Sequence, residues 1–517
     1  MPEAGEQEVN QRLRRADWRF LLPTPAPRRA LCRASAALTD AVASIAGEIV
    51  TGRAAGDCDL VVAENPDPRL LAELREALRP GGACYTEWRP KLGGARRIEG
   101  TLRAAGFTEV TCYRRWPAAG APVYWIPLGA PGAAGYVRSR RRLRGGRVRR
   151  LLAGVGQRAR DIVAGRYGSP ICAIARRPAD KLAVELDPAA WLREGWSAWG
   201  LGPSPERLST LLVTGGPRSV SKVVLLAFAE PRRNPLVAVK APRVDEAAAG
   251  LRREATALER LAEGRVGPVP GVPRILFRRD VDGLPLVGET ALTGRPLESL
   301  LTRRNLGAWS MKVTGWLAAL ASAAPLLPGV YWRDTIVEPV LCRFVELFGG
   351  VIDRGLLREC EGIVRAIGSL PQVPEQRDFG PWNLFVTPAA EIAVLDWESA
   401  ALDGLPALDL LYYLTYASFN VDRAQHLEGR VVSYRRSLDP STPTGAVRHA
   451  CLTRYLDVLG LEREVLAPLR VLVWLIHAQS EFRHAAADAG GPPSSAALGR
   501  SLFLALWQQE VRAVTAG

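Results

Sequence analysis

The strongest constraint on this chain is the stretch Gln376-Arg377-Asp378-Phe379-Gly380-Pro381-Trp382-Asn383-Leu384-Phe385-Val386, followed by Ile392-Ala393-Val394-Leu395-Asp396-Trp397-Glu398. Residues 383–386 and 392–395 are apolar, β-rich runs, and Thr387-Pro388-Ala389-Ala390 between them reads as a turn. The pattern predicts a β-hairpin, with Asp378 ahead of its first strand and Asp396 ending its second. Such a hairpin carries two carboxylates and the amide of Asn383 to one end of the sheet. That set suits phosphoryl transfer, in which one group positions an acceptor hydroxyl and oxygen ligands hold Mg²⁺ against the phosphates. The plainer alternative is an ordinary hairpin with capping carboxylates.

A chain of 517 residues is too long for one core and predicts two or three domains. The eight cysteines are scattered without a C-x-x-C pair, so reduced thiols and a cytoplasmic protein are expected. The N-terminus is acidic without an apolar core, and no uninterrupted apolar stretch is long enough to span a bilayer. Much of the net charge of +15 lies between Arg138 and Arg150, with Arg158 and Arg160 just beyond. The Arg138–Arg160 segment could bind nucleic acid or an anionic surface. Without interleaved aromatics, a solvated basic helix is the plainer account.

Strand and helix signals alternate up to about residue 180, which predicts a mainly parallel α/β sheet. Strands are expected at 29–33, 48–51, 59–63, 83–88, 109–116 and 170–175, and helices at 35–45, 68–78 and 96–105. Asp59-Leu60-Val61-Val62, the Leu78-Arg79-Pro80-Gly81-Gly82 turn and Ala105-Gly106-Phe107 resemble the second half of a class I S-adenosylmethionine methyltransferase. The resemblance implies a shortened Rossmann-like domain. A cofactor site of that kind needs a Gly-rich turn after the first strand and an acid ending the second. Arg33-Ala34-Ser35-Ala36 has no glycine and Val50-Thr51-Gly52 no acid, so a scaffold without cofactor is expected.

The expected division is 1–180 for this domain, a helical linker at 181–204 whose Trp191, Trp196 and Trp199 pack an interface, and a second domain at 205–517. The second domain divides into a small lobe at 205–292 and a large lobe at 295–517. Its small lobe opens with three antiparallel strands, at 211–214, 222–228 and 235–240, the first two joined by a turn holding Gly215, Gly216 and Ser219. Lys240 ends a buried apolar strand, a costly place for a charge unless it is paired, and the next helix offers Glu254. Beyond residue 297 apolar residues at three- and four-residue spacing predict a helical large lobe, with helices at 305–323, 355–367, 407–418, 446–458 and 465–487. All four histidines, His426, His449, His477 and His484, fall there and read as satisfied or exposed side chains.

From about Leu208 onward, in more than half the chain, these markers resemble the aminoglycoside phosphotransferase and choline kinase-like family. The resemblance implies an α+β two-lobed kinase-like domain that transfers phosphate from ATP, with Mg²⁺, to a hydroxyl of a small molecule. By it, Asp378 is the catalytic base and Asn383 and Asp396 are the metal ligands. Lys240 holds the nucleotide phosphates and is held by Glu254, while Gly215, Gly216 and Ser219 cover them. Residues 287–296 form the adenine-reading hinge, and Asp409 anchors the large lobe. Gln376 stands where the family has the histidine that braces the catalytic loop. Three readings stay open beside this one: a nucleotide-binding pseudokinase, an adaptor, and a methyltransferase with a regulatory kinase-like module.

Overall fold

The computed structural model describes residues 12–52, 56–89, 94–117, 122–143, 170–179, 188–215, 222–263, 269–281, 283–322, 324–489 and 491–515. They fall into two compact units, one of Ala4–Arg252 with Arg274–Leu292, the other of Arg253–Pro273 with Thr293–Gly517.

In the first unit β1 (Arg29–Arg33), β2 (Glu48–Val50), β3 (Cys58–Glu64) and β4 (Leu78–Trp88) are parallel, in the order β2-β1-β3-β4. β3 is almost continuously apolar because both its faces are covered. Leu60 and Val62 enter one core with Trp18, Leu38 and Val42, while Val61 and Ala63 enter another with Leu71, Leu74 and Leu102. The helix Pro68–Ala77 stops where the Arg-Pro-Gly-Gly signal places its end, yet no free turn follows. Pairing slips from Cys58↔Leu78 to Leu60↔Ala83, so residues 79–82 bulge from a strand already begun. A Cβ at Gly82 would meet the Arg79 carbonyl oxygen at 2.9 Å, which is why the bulge needs glycine.

β5 (Thr108–Trp116) lies beyond β7 (Ile171–Arg176), which pairs antiparallel with both β4 and β5. β6 (Tyr124–Pro127), hidden in the sequence between prolines, pairs with β5 on one side and with β8 (Leu208–Val213) on the other. Through β6 the sheet continues into β9 (Lys222–Ala229), β10 (Val237–Pro242), β12 (Leu284–Thr290) and β11 (Ile275–Val281), all antiparallel, completing a twelve-stranded mixed sheet. The three strands expected at the start of the small lobe are therefore part of one sheet with the strands before residue 180. Leu192 and Trp196, from the segment expected as a linker, are buried in the shared core, and Trp199 stacks on Phe277 with ring centroids 4.9 Å apart. A buried bidentate pair, Arg243 Nε and Nη2 each 2.9 Å from an oxygen of Asp17, ties the N-terminal segment to the chain just after β10. Of the arginine-rich segment, 144–169 lies outside the described residues, and nothing described supports an anionic-surface role.

The second unit holds the hairpin of Leu384–Val386 and Ile392–Val394, flanked by Arg295–Pro296. A smaller pair joins Val373–Glu375 to Ala401–Gly404. Helices surround them: Leu306–Ala321, Glu338–Phe348, Arg354–Arg365, Leu408–Asp422, Leu427–Leu438, Pro443–Leu459, Leu466–Ala489 and Leu502–Thr515. Several termini carry their local signals. Asp353 and Thr442 accept N–H bonds as N-caps, and Gly460 ends its helix in the left-handed region at φ +64°. No helix among the described residues is long and apolar enough to cross a membrane, and all eight cysteines are free.

Candidate active site

The hairpin expected from the sequence forms, with Leu384 paired to Val394, Phe385 to Ala393 and Val386 to Ile392. At its open end Leu395 N–H donates to Asn383 O at 2.9 Å, so Asn383 and the residue before Asp396 lie side by side. The Asn383 amide donates to the Asp378 carbonyl at 2.9 Å and to Asp378 Oδ2 at 2.8 Å. Its oxygen is then the atom it can offer a cation. Asp378 Oδ2 also lies 3.5 Å from Trp382 Nε1, and Oδ1 lies 3.5 Å from the Tyr412 hydroxyl, contacts long enough for an incoming hydroxyl to replace. Burial, then the charge of Asp396, pushes the Asp378 carboxyl up to about 6, against the bonds from Trp382 and Asn383. Asp378, Asn383 and Asp396 are therefore brought together, as the sequence predicts.

Gln376 is fully buried and ties two pieces of the site together. Its Nε2 donates to Leu395 O at 3.1 Å and Asp396 O at 2.5 Å, and its Oε1 accepts Asp378 N–H at 2.9 Å. One amide thus links the loop of Asp378 to the strand end carrying Asp396. Asp409 secures the same loop, accepting the N–H groups of Gln376 at 2.6 Å and Arg377 at 2.9 Å. Burial, then the Glu375 charge, pushes the Asp409 carboxyl up to about 7. These bonds hold Arg377 at φ +68° and Asp396 at φ +62°, left-handed conformations that cost about 1–3 kcal/mol each for a non-glycine residue. Replacing Gln376 with Leu is expected to lower stability by about 3 kcal/mol, since three partly buried backbone groups lose their partner. The same change is expected to slow turnover about tenfold, because the loop and strand end lose their common fixing point. Denaturant midpoints and initial rates measure the two effects, and a variant matching the parent in both would refute the role.

Lys240 is 7% exposed on β10, with Nζ 2.8 Å from Glu289 Oε1 on β12. The register Lys240↔Val287 places Glu289 two residues further along, on the same sheet face. Sequence reasoning names Glu289 only within the hinge. Glu254 is fully buried in the second unit, where its Oε1 accepts Trp397 N–H at 3.1 Å and clamps the residue after Asp396. Gly215 is described, with open space where a Cβ would stand, while Gly216 and Ser219 lie outside the described residues. Among the described residues no three of His, Cys, Asp and Glu form a ready metal cage.

At the carboxyl ends of the parallel strands the Arg33 guanidinium donates to Gly52 O at 2.7 Å, and Ser35 Oγ donates to Glu64 at 2.8 Å. Side chains therefore bridge the ends of these strands.

No protein-family model matches the chain, and no curated protein matches it. Among solved structures, it is similar to aminoglycoside phosphotransferase APH(4)-Ia at 13% identity and a TM-score of 0.37, covering 62% of this chain and 98% of that one. It is also similar to an aminoglycoside-3'-phosphotransferase of type VIII, at 18% identity and a TM-score of 0.33, covering 55% of this chain and 97% of that one. A third is ADP-bound aminoglycoside phosphotransferase APH(2'')-Ib, at 13% identity and a TM-score of 0.30, with the same two coverages. Likenesses this distant carry no argument about chemistry, which the site itself must supply.

Proposed function

We propose that this chain is an ATP- and Mg²⁺-dependent phosphotransferase acting on a hydroxyl of a small molecule, with a kinase-like domain from about residue 205 onward. The observation that carries the reading is the set Asp378, Asn383 and Asp396 at one hairpin end, with Gln376 bridging the two strands of chain that bear the acids. Asp378 accepts the acceptor's proton or orients its hydroxyl, and its raised carboxyl suits proton transfer near neutral pH. Asn383 and Asp396 would hold Mg²⁺. One carboxylate and one amide oxygen fit an ion that keeps waters and takes substrate phosphates as its remaining ligands. When bound, that ion neutralises charge on the phosphate oxygens. Lys240, oriented by Glu289 in the structure and by Glu254 in the family pattern, is assigned to the nucleotide phosphates, with Gly215, Gly216 and Ser219 over them.

A short connection supports a small acceptor. After Asp396 the chain forms the strand Ala401–Gly404 against Val373–Glu375 and enters a helix at Leu408, leaving no long segment on which a peptide could lie. Offered labelled ATP with mixed peptides and with a metabolite extract, the protein is expected to label only small molecules. Label confined to peptides would sink the proposal.

The strands before residue 180 are read as a shortened methyltransferase-like scaffold without cofactor. The strand order β2-β1-β3-β4-β7-β5 with β7 antiparallel supports the scaffold, and the Arg33–Gly52 bridge supports the absence of cofactor. Calorimetry with S-adenosylmethionine is expected to give no isotherm at micromolar concentrations, and a saturable one would contradict the reading.

A further inference from the structure

We propose that Tyr412 is a positioning residue whose hydroxyl makes Oδ1 of Asp378 the oxygen that takes the acceptor's proton. This rests on the reading of Asp378 as the base and goes beyond it, to one atom and to the group that aims it.

The helix Leu408–Asp422 carries Asp409, Tyr412 and Tyr416 at three- and four-residue spacing, which puts the three on one face. Asp409 accepts the N–H groups of Gln376 and Arg377, and one turn later the Tyr412 hydroxyl meets Asp378 Oδ1 at 3.5 Å. One helix therefore fixes the backbone of the loop and also reaches the carboxylate that follows. Tyr412 is buried, and its ring stacks on His477 at 4.2 Å between centroids and 24°, which holds the hydroxyl in place.

The two oxygens of Asp378 are unequally occupied. Oδ2 accepts Asn383 Nδ2 at 2.8 Å and faces Trp382 Nε1 at 3.5 Å. The indole is packed over Gly380, where a Cβ would come within 2.2 Å of its ring, so its N–H stays on the Oδ2 side. Oδ1 has only the Tyr412 hydroxyl among the described residues. A carboxylate offers about four acceptor sites over its two oxygens, so Oδ2 is filled and one site on Oδ1 is left. An acceptor hydroxyl enters there. With Tyr412 on the neighbouring site, the carboxylate is held at both oxygens and the hydroxyl has one line of approach. As the acceptor oxygen bonds to the terminal phosphorus of ATP and the bond to the ADP oxygen breaks, the hydroxyl proton passes to Oδ1. Solvent takes that proton after the product leaves.

The test uses ATP and Mg²⁺ with water as the acceptor, and reads phosphate release in single and multiple turnovers. Tyr412→Phe keeps the ring on His477 and removes only the hydroxyl. It is expected to lower kcat about tenfold with KM for ATP little changed, a split that a loss of folding or of nucleotide binding would not give. In an Asp378→Asn background, where no carboxylate remains to be aimed, the same change is expected to cost nothing further. Trp382→Phe, which leaves Asn383 on Oδ2, is expected to lower kcat less than Tyr412→Phe. A parental kcat in Tyr412→Phe, an equal loss in both backgrounds, or a larger loss in Trp382→Phe overturns the inference while leaving Asp378 as the base. No phosphate release by the parent, or a parental rate in Asp378→Asn, removes the base reading and this inference with it.

Discussion

Asp378→Asn is expected to bind ATP as tightly as the parent while transferring its phosphoryl group about 10²–10⁴-fold more slowly, the usual worth of a positioned general base. The amide keeps the side chain's shape beside Trp382, Asn383 and Tyr412 but cannot take a proton. Rapid-quench measurement of product against calorimetry of nucleotide binding separates the two effects, and equal loss in both would reassign Asp378 to binding. The parent's pH profile follows from the same residue. Burial, then Asp396, places the carboxyl at about 6, so kcat/KM is expected to rise as pH increases through that value, where the base becomes ionised. Stability moves the other way. A carboxyl raised on folding binds its proton more tightly in the native state, so its contribution is fully present below the ordinary carboxylate range and is lost as pH rises through about 6.

The parts of this molecule legible in the sequence are those fixed by local patterns. The hairpin at 384–394 is announced by two β-rich runs and a Thr-Pro turn, and β3 by apolar residues with both faces buried. What escaped depended on partners distant in the chain. β6 is a four-residue strand between prolines, and only its pairing with β5 and β8 makes it a strand. Without that link, the strands before residue 180 and those after 205 read as separate sheets. Glu289 gives no local sign of holding Lys240, because the pairing of β10 with β12 sets that contact. Gln376 reads from the sequence as a departure from a pattern, and only the fold shows its amide, with both a donor and an acceptor, joining the loop of Asp378 to the strand end before Asp396. Tyr412 lies at helical spacing among apolar residues, where any periodic reading counts it as core, and its place beside Asp378 comes from packing that no local pattern shows.

Removing the carboxylate of Asp396 is expected to weaken Mg²⁺-dependent ATP binding at least about 100-fold, since even partners behind a metal ligand are worth 10–100-fold in affinity. Asp396→Asn is the cleaner variant. Asparagine tolerates the left-handed backbone at φ +62°, so the hairpin end and its bonds from Gln376 stay in place while the charge goes. Asp396→Ala adds backbone strain and is expected to cost stability as well. Calorimetry with ATP in the presence and absence of Mg²⁺ measures the effect, and parental affinity in Asp396→Asn with the ion present would refute the metal role. A second readout ties the two acids together. The charge of Asp396 is the second cause, after burial, of the raised Asp378 carboxyl, so any turnover left in Asp396→Asn is expected to reach half its maximum at lower pH than in the parent. An unshifted profile would mean that the two carboxylates do not act on one site.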